Sequence, residues 1–178
     1  PVYGRDAVVS LTAAALPGWQ FLGWTGDTDS TNPVAQLRMT RDLTVQAIFG
    51  AALKVTAVGG GSVSRFPDLA LYPYGTRIQL SPIASAGNSF YVWGGMVNPT
   101  NTPQSLILNT APRSVSALFS NLPPGQVALT LAASGLGTVG ASLPGTRFPV
   151  GTKLQITATP EEGQEFLGWE GNATGTAN

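Results

Sequence analysis

The sequence predicts an all-β chain built from tandem modules of about 70 residues, and three observations carry that prediction. The first is repetition. Trp24, Trp93 and Trp169 recur at spacings of 69 and 76 residues, and other columns keep the same step. These are Phe21, Phe90 and Phe166; Gly18, Gly87 and Gly163; Val9, Ile78 and Leu154; Leu11, Leu80 and Ile156; and Tyr3, Tyr72 and Phe148. The second is alternation of apolar and polar residues, as in Leu43, Val45, Ala47 and Phe49 with Thr44 and Gln46 between them. Period two marks a strand with one buried face. The third is punctuation: 22 Gly and 14 Pro interrupt every window long enough for an amphipathic helix.

The elements follow in order. The offset of 76 aligns Leu53–Val63 with Leu129–Val139, and an offset of 70 aligns Asn32–Phe49 with Thr102–Phe119. The chain therefore divides into a first copy, 1–50, without an opening hairpin; a complete middle copy, 51–120; and a third copy, 121–178, without closing strands. Six strands are expected in the middle copy, at 53–58, 62–66, 76–81, 90–94, 105–109 and 114–119. Val127, Leu129, Leu131 and Ala133 alternate in the third copy, as do Leu154, Ile156 and Ala158. Hairpin reversals fall at GGGS (59–62) and GLGT (135–138), where glycine supplies positive φ. YPYGT and FPVGT pair Pro with Gly at turn positions. The first copy places Asp6 at that glycine, one of the few other residues that tolerate the left-handed region. In the repeated Phe-Leu-Gly-Trp strand, strict alternation sets Phe21 and Gly23 on one face and Leu22 and Trp24 on the other.

Composition removes several functional classes. The chain has no Cys and no His, which takes away the central residue of thiol and Ser-His-Asp catalysis, of most zinc sites and of any disulfide framework. Charged residues make up 10% with zero net charge, and lysine is confined to Lys54 and Lys153. Nucleic-acid binding needs a dense basic stripe that is missing. No apolar run is long enough for a membrane span. Net charge varies along the array, at −1 over 1–50, +3 over 51–120 and −2 over 121–178, an arrangement that favours modest packing between neighbours.

The order GSV, P, YPYGTRIQL, F-x-x-W, NP, SVSALF resembles the divergent internalin-type B-repeat of bacterial cell-surface proteins. The third copy carries the pattern at GTKLQITATPEEGQEFLGWEG and the first at PGWQFLGWTGD, NP and LTVQAIF. The middle copy departs from it, with Val92 where Gly23 and Gly168 stand. The resemblance covers nearly the whole chain. It implies a β-grasp-like module used in tandem as a spacer or adhesive segment of secreted or surface-anchored bacterial proteins, and it implies no catalytic residue and no cofactor.

Candidate functional residues are few. Phe21, Trp24, Phe90, Trp93, Phe166 and Trp169 read as repeat core, because a small unit needs a large ring to fill it; a sugar platform is the other reading. Trp19 aligns with the polar Asn88 and Gln164 and lies in a turn beside Pro17 and Gly18, so it reads as a ring folded over its own loop or as a contact for another molecule. Asp27, Asp29 and Asn32 in GDTDSTNP superficially resemble a calcium loop but lack the later bidentate Glu, and Asp and Asn are ordinary turn formers. Glu161, Glu162, Glu165 and Glu170 read as a solvated cluster, and Asn172-Ala-Thr174 is a formal glycosylation sequon.

The linker SNLPPGQ, Ser120 to Gln126, is short and stiffened by two prolines. The expectation is therefore a semi-rigid rod that projects or connects at the bacterial surface: a stalk, an adhesin spacer or a filament subunit. The alternative is a module that binds a surface glycan or protein. Neighbouring repeats are the expected partners. The half-copies at either end would expose strand edges, to be completed by adjacent identical subunits or by a longer chain.

Overall fold

The computed structural model describes residues 2–95, 97, 102–111 and 113–177. Fifteen strands and no helix occur among them. The first copy contributes β1 (Val8–Thr12), β2 (Gln20–Gly26), β3 (Val34–Arg38) and β4 (Val45–Ala51). The middle copy contributes β5 (Leu53–Val58), β6 (Gly61–Phe66), β7 (Tyr72–Pro73), β8 (Arg77–Ala84), β9 (Asn88–Gly95), β10 (Gln104–Ile107) and β11 (Arg113–Asn121). The third contributes β12 (Gln126–Ala128), β13 (Gly137–Ala141), β14 (Arg147–Pro149) and β15 (Ile156–Pro160).

These strands form small sheets ordered β1-β3, β2-β4-β7, β10-β8-β6, β5-β11-β9, β12-β14 and β13-β15. The repeat in sequence is a repeat in register. The hairpin β6–β8 pairs Gly61 with Ala84 and Val63 with Pro82; 76 residues on, β13–β15 pairs Gly137 with Pro160 and Val139 with Ala158. Turn geometry repeats as well. Asp6 takes φ 63° where Gly75 and Gly151 take 82° and 86°, and Gly18, Gly87 and Gly163 all lie between 76° and 82°. Each of these residues is left-handed, and the two columns hold only Gly and Asp, which tolerate that conformation.

The chain forms two compact units. The first comprises Pro1–Leu53, Leu69–Thr76 and Ile107–Arg113. Its buried side chains include Trp24, Ala35, Ala51, Leu53, Tyr72 and Leu108. The second comprises Lys54–Asp68, Arg77–Leu106 and Ser114–Asn178. Its core is Ile78, Leu80, Phe90, Trp93, Leu106, Val115, Ala117 and Phe119, with Phe148 and Ala158 from the third copy. Within that unit Arg77 and Glu161 form an ion pair at 2.6 Å, Gln79 Nε2 donates to the Gly137 carbonyl at 3.1 Å and Thr146 Oγ1 donates to the Phe90 carbonyl at 2.8 Å. The basic middle copy and the acidic third copy thus meet through an exposed ion pair and two side-chain-to-backbone hydrogen bonds.

Two strand expectations need correction. In the third copy β12 stops at Ala128, so Leu129, Leu131 and Ala133 lie outside any strand, and Leu154 precedes β15. The segment 164–168 is not extended into a ladder; only an isolated bridge joins Trp169 to Gly175. Alternation makes a sequence competent for a strand, but the strand exists only where a neighbouring backbone takes its hydrogen bonds. The second correction concerns facing. In β2–β4, Phe21 pairs with Phe49 and Gly23 with Ile48, leaving Leu22 unpaired. In β9–β11, Phe90 pairs with Phe119 and Val92 with Leu118, leaving Tyr91 unpaired. A β-bulge sets two residues against one, so the aromatic residues on either side of it face the same way.

Candidate functional site

In the first two copies the bulge builds the aromatic cluster, and the third copy keeps the same ring pair without a ladder. Phe21 and Trp24 rings lie 5.3 Å apart, Phe90 and Trp93 5.0 Å, and Phe166 and Trp169 5.2 Å. A third ring joins in the first two copies, with Phe49 5.7 Å from Phe21 and Phe119 6.0 Å from Phe90. These are edge-on or tilted arrangements, the geometry favoured by ring quadrupoles. Trp24 is 8% exposed and Trp93 3%; Trp169 and Phe166 are only half-buried.

The loops after Trp24 and Trp169 fold back over their indoles. Trp24 N–H donates to the Ser30 carbonyl at 2.9 Å and Trp24 Nε1 to the Asn32 carbonyl at 2.9 Å. In the third copy Trp169 N–H donates to the Gly175 carbonyl at 2.8 Å and Trp169 Nε1 to the Ala177 carbonyl at 3.0 Å. The acceptors stand six and eight residues after the ring in both, so the indole N–H is satisfied by a repeated backbone device. The equivalent acceptors of the middle copy fall at 99 and 101, and most of its loop (Asn98, Pro99, Thr100 and Asn101) lies outside the described residues.

This loop accounts for two of the three residues read as calcium-like. Asn32 Oδ1 accepts from Val34 N–H at 2.9 Å, closing a turn. Asp27 Oδ2 accepts from Thr44 N–H at 2.6 Å, and its Oδ1 accepts from Arg41 at 2.6 Å. The backbone N–H of Thr44 first, and the Arg41 guanidinium second, hold the Asp27 carboxyl below the usual carboxylate range. Asp29 is exposed. Among the described residues no three His, Cys, Asp or Glu side chains converge as a metal site. Of the glutamates, Glu161 engages Arg77, while Glu162, Glu165 and Glu170 are exposed.

Trp19 sits elsewhere. Its N–H donates to the Leu16 carbonyl at 3.0 Å in a tight turn before β2. Its ring lies 5.6 Å from that of Tyr74, tilted by 46°. Both rings line a groove of about 480 Å3 with Ala14, Leu16, Gln46, Ala47, Ile48, Phe49, Pro73 and Asn109, all in the first unit. β4 supplies the floor, and Tyr74 is held there by donation of its N–H to the Phe49 carbonyl at 2.9 Å, continuing the β4–β7 ladder. Sequence reading found Trp19 but missed Tyr74, Gln46 and Asn109. The signal for Tyr74 was its departure from its own column, where the aligned residues are Arg5 and Val150.

Bulged aromatic clusters, reproduced hairpin registers and recurrent turn angles define a tandem all-β repeat protein. The sequence model of the divergent InlB B-repeat domain matches residues 1–52, 51–123 and 127–178, so the chain belongs to that family. The family points to a bacterial surface repeat and is typically non-catalytic. No curated protein and no solved structure matches the chain significantly. Among the described residues no helix is long and apolar enough to cross a membrane.

Proposed function

We propose that this chain is a structural repeat segment of a secreted or cell-surface bacterial protein, acting as a stalk, an adhesin spacer or a filament subunit without catalysis of its own. Its working divisions are 1–50, 51–120 and 121–178. The observation that supports this reading best is the way one copy passes into the next. Gly50 pairs with Pro73 and Ala51 with Tyr72, so β4 of the first copy carries β7 of the middle one; the aligned pairs Gln126–Pro149 and Val127–Phe148 lie within the third copy, which is tied to the middle one by Thr146 Oγ1 donating to the Phe90 carbonyl at 2.8 Å. The flanking bond repeats too, from Tyr74 N–H to the Phe49 carbonyl and from Val150 N–H to the Gly125 carbonyl. The first joint is a short ladder between copies and the second is hydrogen-bonded across, where a flexible tether would have neither. Ladders resist bending, and stiffness over distance is what a spacer needs.

Small-angle scattering of the purified chain tests this. A spacer gives a radius of gyration well above the ~16 Å of a compact globule of this length, and a compact value would overturn the reading. Neighbouring repeats or identical subunits are the partners this function requires, and an adhesive role toward a surface glycan or protein is favoured by one feature alone, the groove at Trp19 and Tyr74.

A further inference from the structure

The two joints between copies share a backbone plan, yet they differ in the side chains placed over it. At the first joint stand Trp19 and Tyr74. The aligned residues at the second joint are Asn88 and Val150, and the remaining members of the two columns are Gln164 and Arg5. The fold therefore does not require a ring at either position. Nor does the aromatic cluster of the first copy, which is completed by Phe21, Trp24 and Phe49. Two large rings have been added where the repeat does without them, and they remain accessible: Trp19 is half-buried and Tyr74 is 68% exposed.

We propose that the groove lined by Trp19 and Tyr74 binds a neutral saccharide. Its volume, about 480 Å3, falls within the roughly 300–1,000 Å3 of small-ligand sites. The lining is apolar apart from the carboxamides of Gln46 and Asn109, both exposed, and it includes no charged side chain. A sugar ring offers a C–H face and a rim of hydroxyls. Its C–H bonds, slightly positive, suit the negative faces of indole and phenol. Each hydroxyl both donates and accepts, and a carboxamide supplies both functions side by side. An anionic ligand would find no cation in the lining to neutralise it, and a cationic one no carboxylate.

Aromatic grooves also take proline-rich peptides, but a prolyl ring has no hydroxyl to engage the two carboxamides. Here the rings stand 5.6 Å apart at 46°, a single angled platform about the width of one six-membered ring. This inference goes beyond the spacer reading and does not depend on it, since scattering reports the array and ligand titration reports the groove.

The test is a titration of the whole chain with maltotetraose, cellotetraose, chitotetraose and mannotetraose at millimolar concentration. A sulfated oligosaccharide and decaproline are run alongside, with the indole N–H resonances followed by NMR. W19N and Y74V carry the residues that stand at the second joint, and Y91V removes an exposed ring elsewhere. The expected result is saturable perturbation of the Trp19 indole by at least one neutral tetrasaccharide, weakened at least tenfold in Y74V, absent for W19N at the neighbouring Gln46 and Asn109 amides, and unchanged in Y91V. Unshifted indole resonances for Trp24 and Trp93 show that the variants remain folded. The proposal is overturned if no neutral sugar perturbs the groove, if perturbation survives both substitutions, or if only decaproline or only the sulfated sugar binds there.

Discussion

The middle and third copies carry the same columns of residues and bury them to different depths. Ile78 and Leu80 on β8 are fully buried, whereas the aligned Leu154 and Ile156 are half-buried. Trp93 is 3% exposed inside the β9–β11 ladder, and Trp169 is half-buried beside a single bridge. The ring pair and the indole-capping loop are nonetheless present at Trp169. Two levels of structure separate here. Local sequence sets the aromatic pair and the loop that caps it, while depth of burial comes from flanking strands: β8 lies between β10 and β6, but β15 has β13 alone. The first copy agrees, since β1 pairs only with β3 and its Val9 and Leu11 are half-buried.

The comparison is broken most forcefully at Trp93. Trp93→Ala removes a buried ring packed on Phe90, itself packed on Phe119, and is expected to destabilise the second unit by about 3–5 kcal/mol in urea unfolding. A smaller effect follows from adding one carbon to the same core. A Cβ on Gly61 would stand 2.5 Å from the Phe119 ring, which is 4% exposed, so Gly61→Ala is expected to cost about 1–3 kcal/mol. Gly137 holds the aligned place in the third copy, where a Cβ would meet the Thr159 carbonyl at 3.0 Å. There a two-stranded pair can yield, and Gly137→Ala is expected to cost less than Gly61→Ala in the same measurement. Trp169→Ala completes the contrast at about 1 kcal/mol, the value of a ring whose burial is partial. Equal losses for Trp93 and Trp169 would mean that flanking strands do not govern the value of the column.

Much of this was legible in the sequence, and the reason is repetition. Three copies let Gly18, Gly87 and Gly163 be read as one structural demand, and their φ values agree within a few degrees. Strand existence in the middle copy followed from alternation because each strand there has a partner. The facing of Phe21 and Trp24 was not legible, since a bulge adds one residue without altering the apolar pattern. Nor was the groove. Trp19, Gln46, Tyr74 and Asn109 come from four separate stretches of chain, and only Trp19 and Tyr74 leave a trace, as rings in columns that otherwise hold Asn, Gln, Arg and Val.

The smallest effect belongs to Asp27, and its sign follows from its two partners. Thr44 N–H and Arg41 both favour the ionised form and hold the carboxyl below its ordinary value. A carboxylate with a depressed folded pKa contributes stability that is fully present above its unfolded value of about 3.9 and is lost as pH falls through the folded value. Unfolding midpoints measured down the acid range should therefore decline below about pH 4, and Asp27→Asn should flatten that decline while leaving the neutral-pH midpoint slightly lower. The pair is open to solvent, with the Arg41 side chain 66% exposed, so added salt should shrink the difference between the two proteins. An acid limb unchanged by Asp27→Asn would show that the loop over Trp24 is held by its backbone bonds to Ser30 and Asn32 alone, as the corresponding loop over Trp169 is held by Gly175 and Ala177.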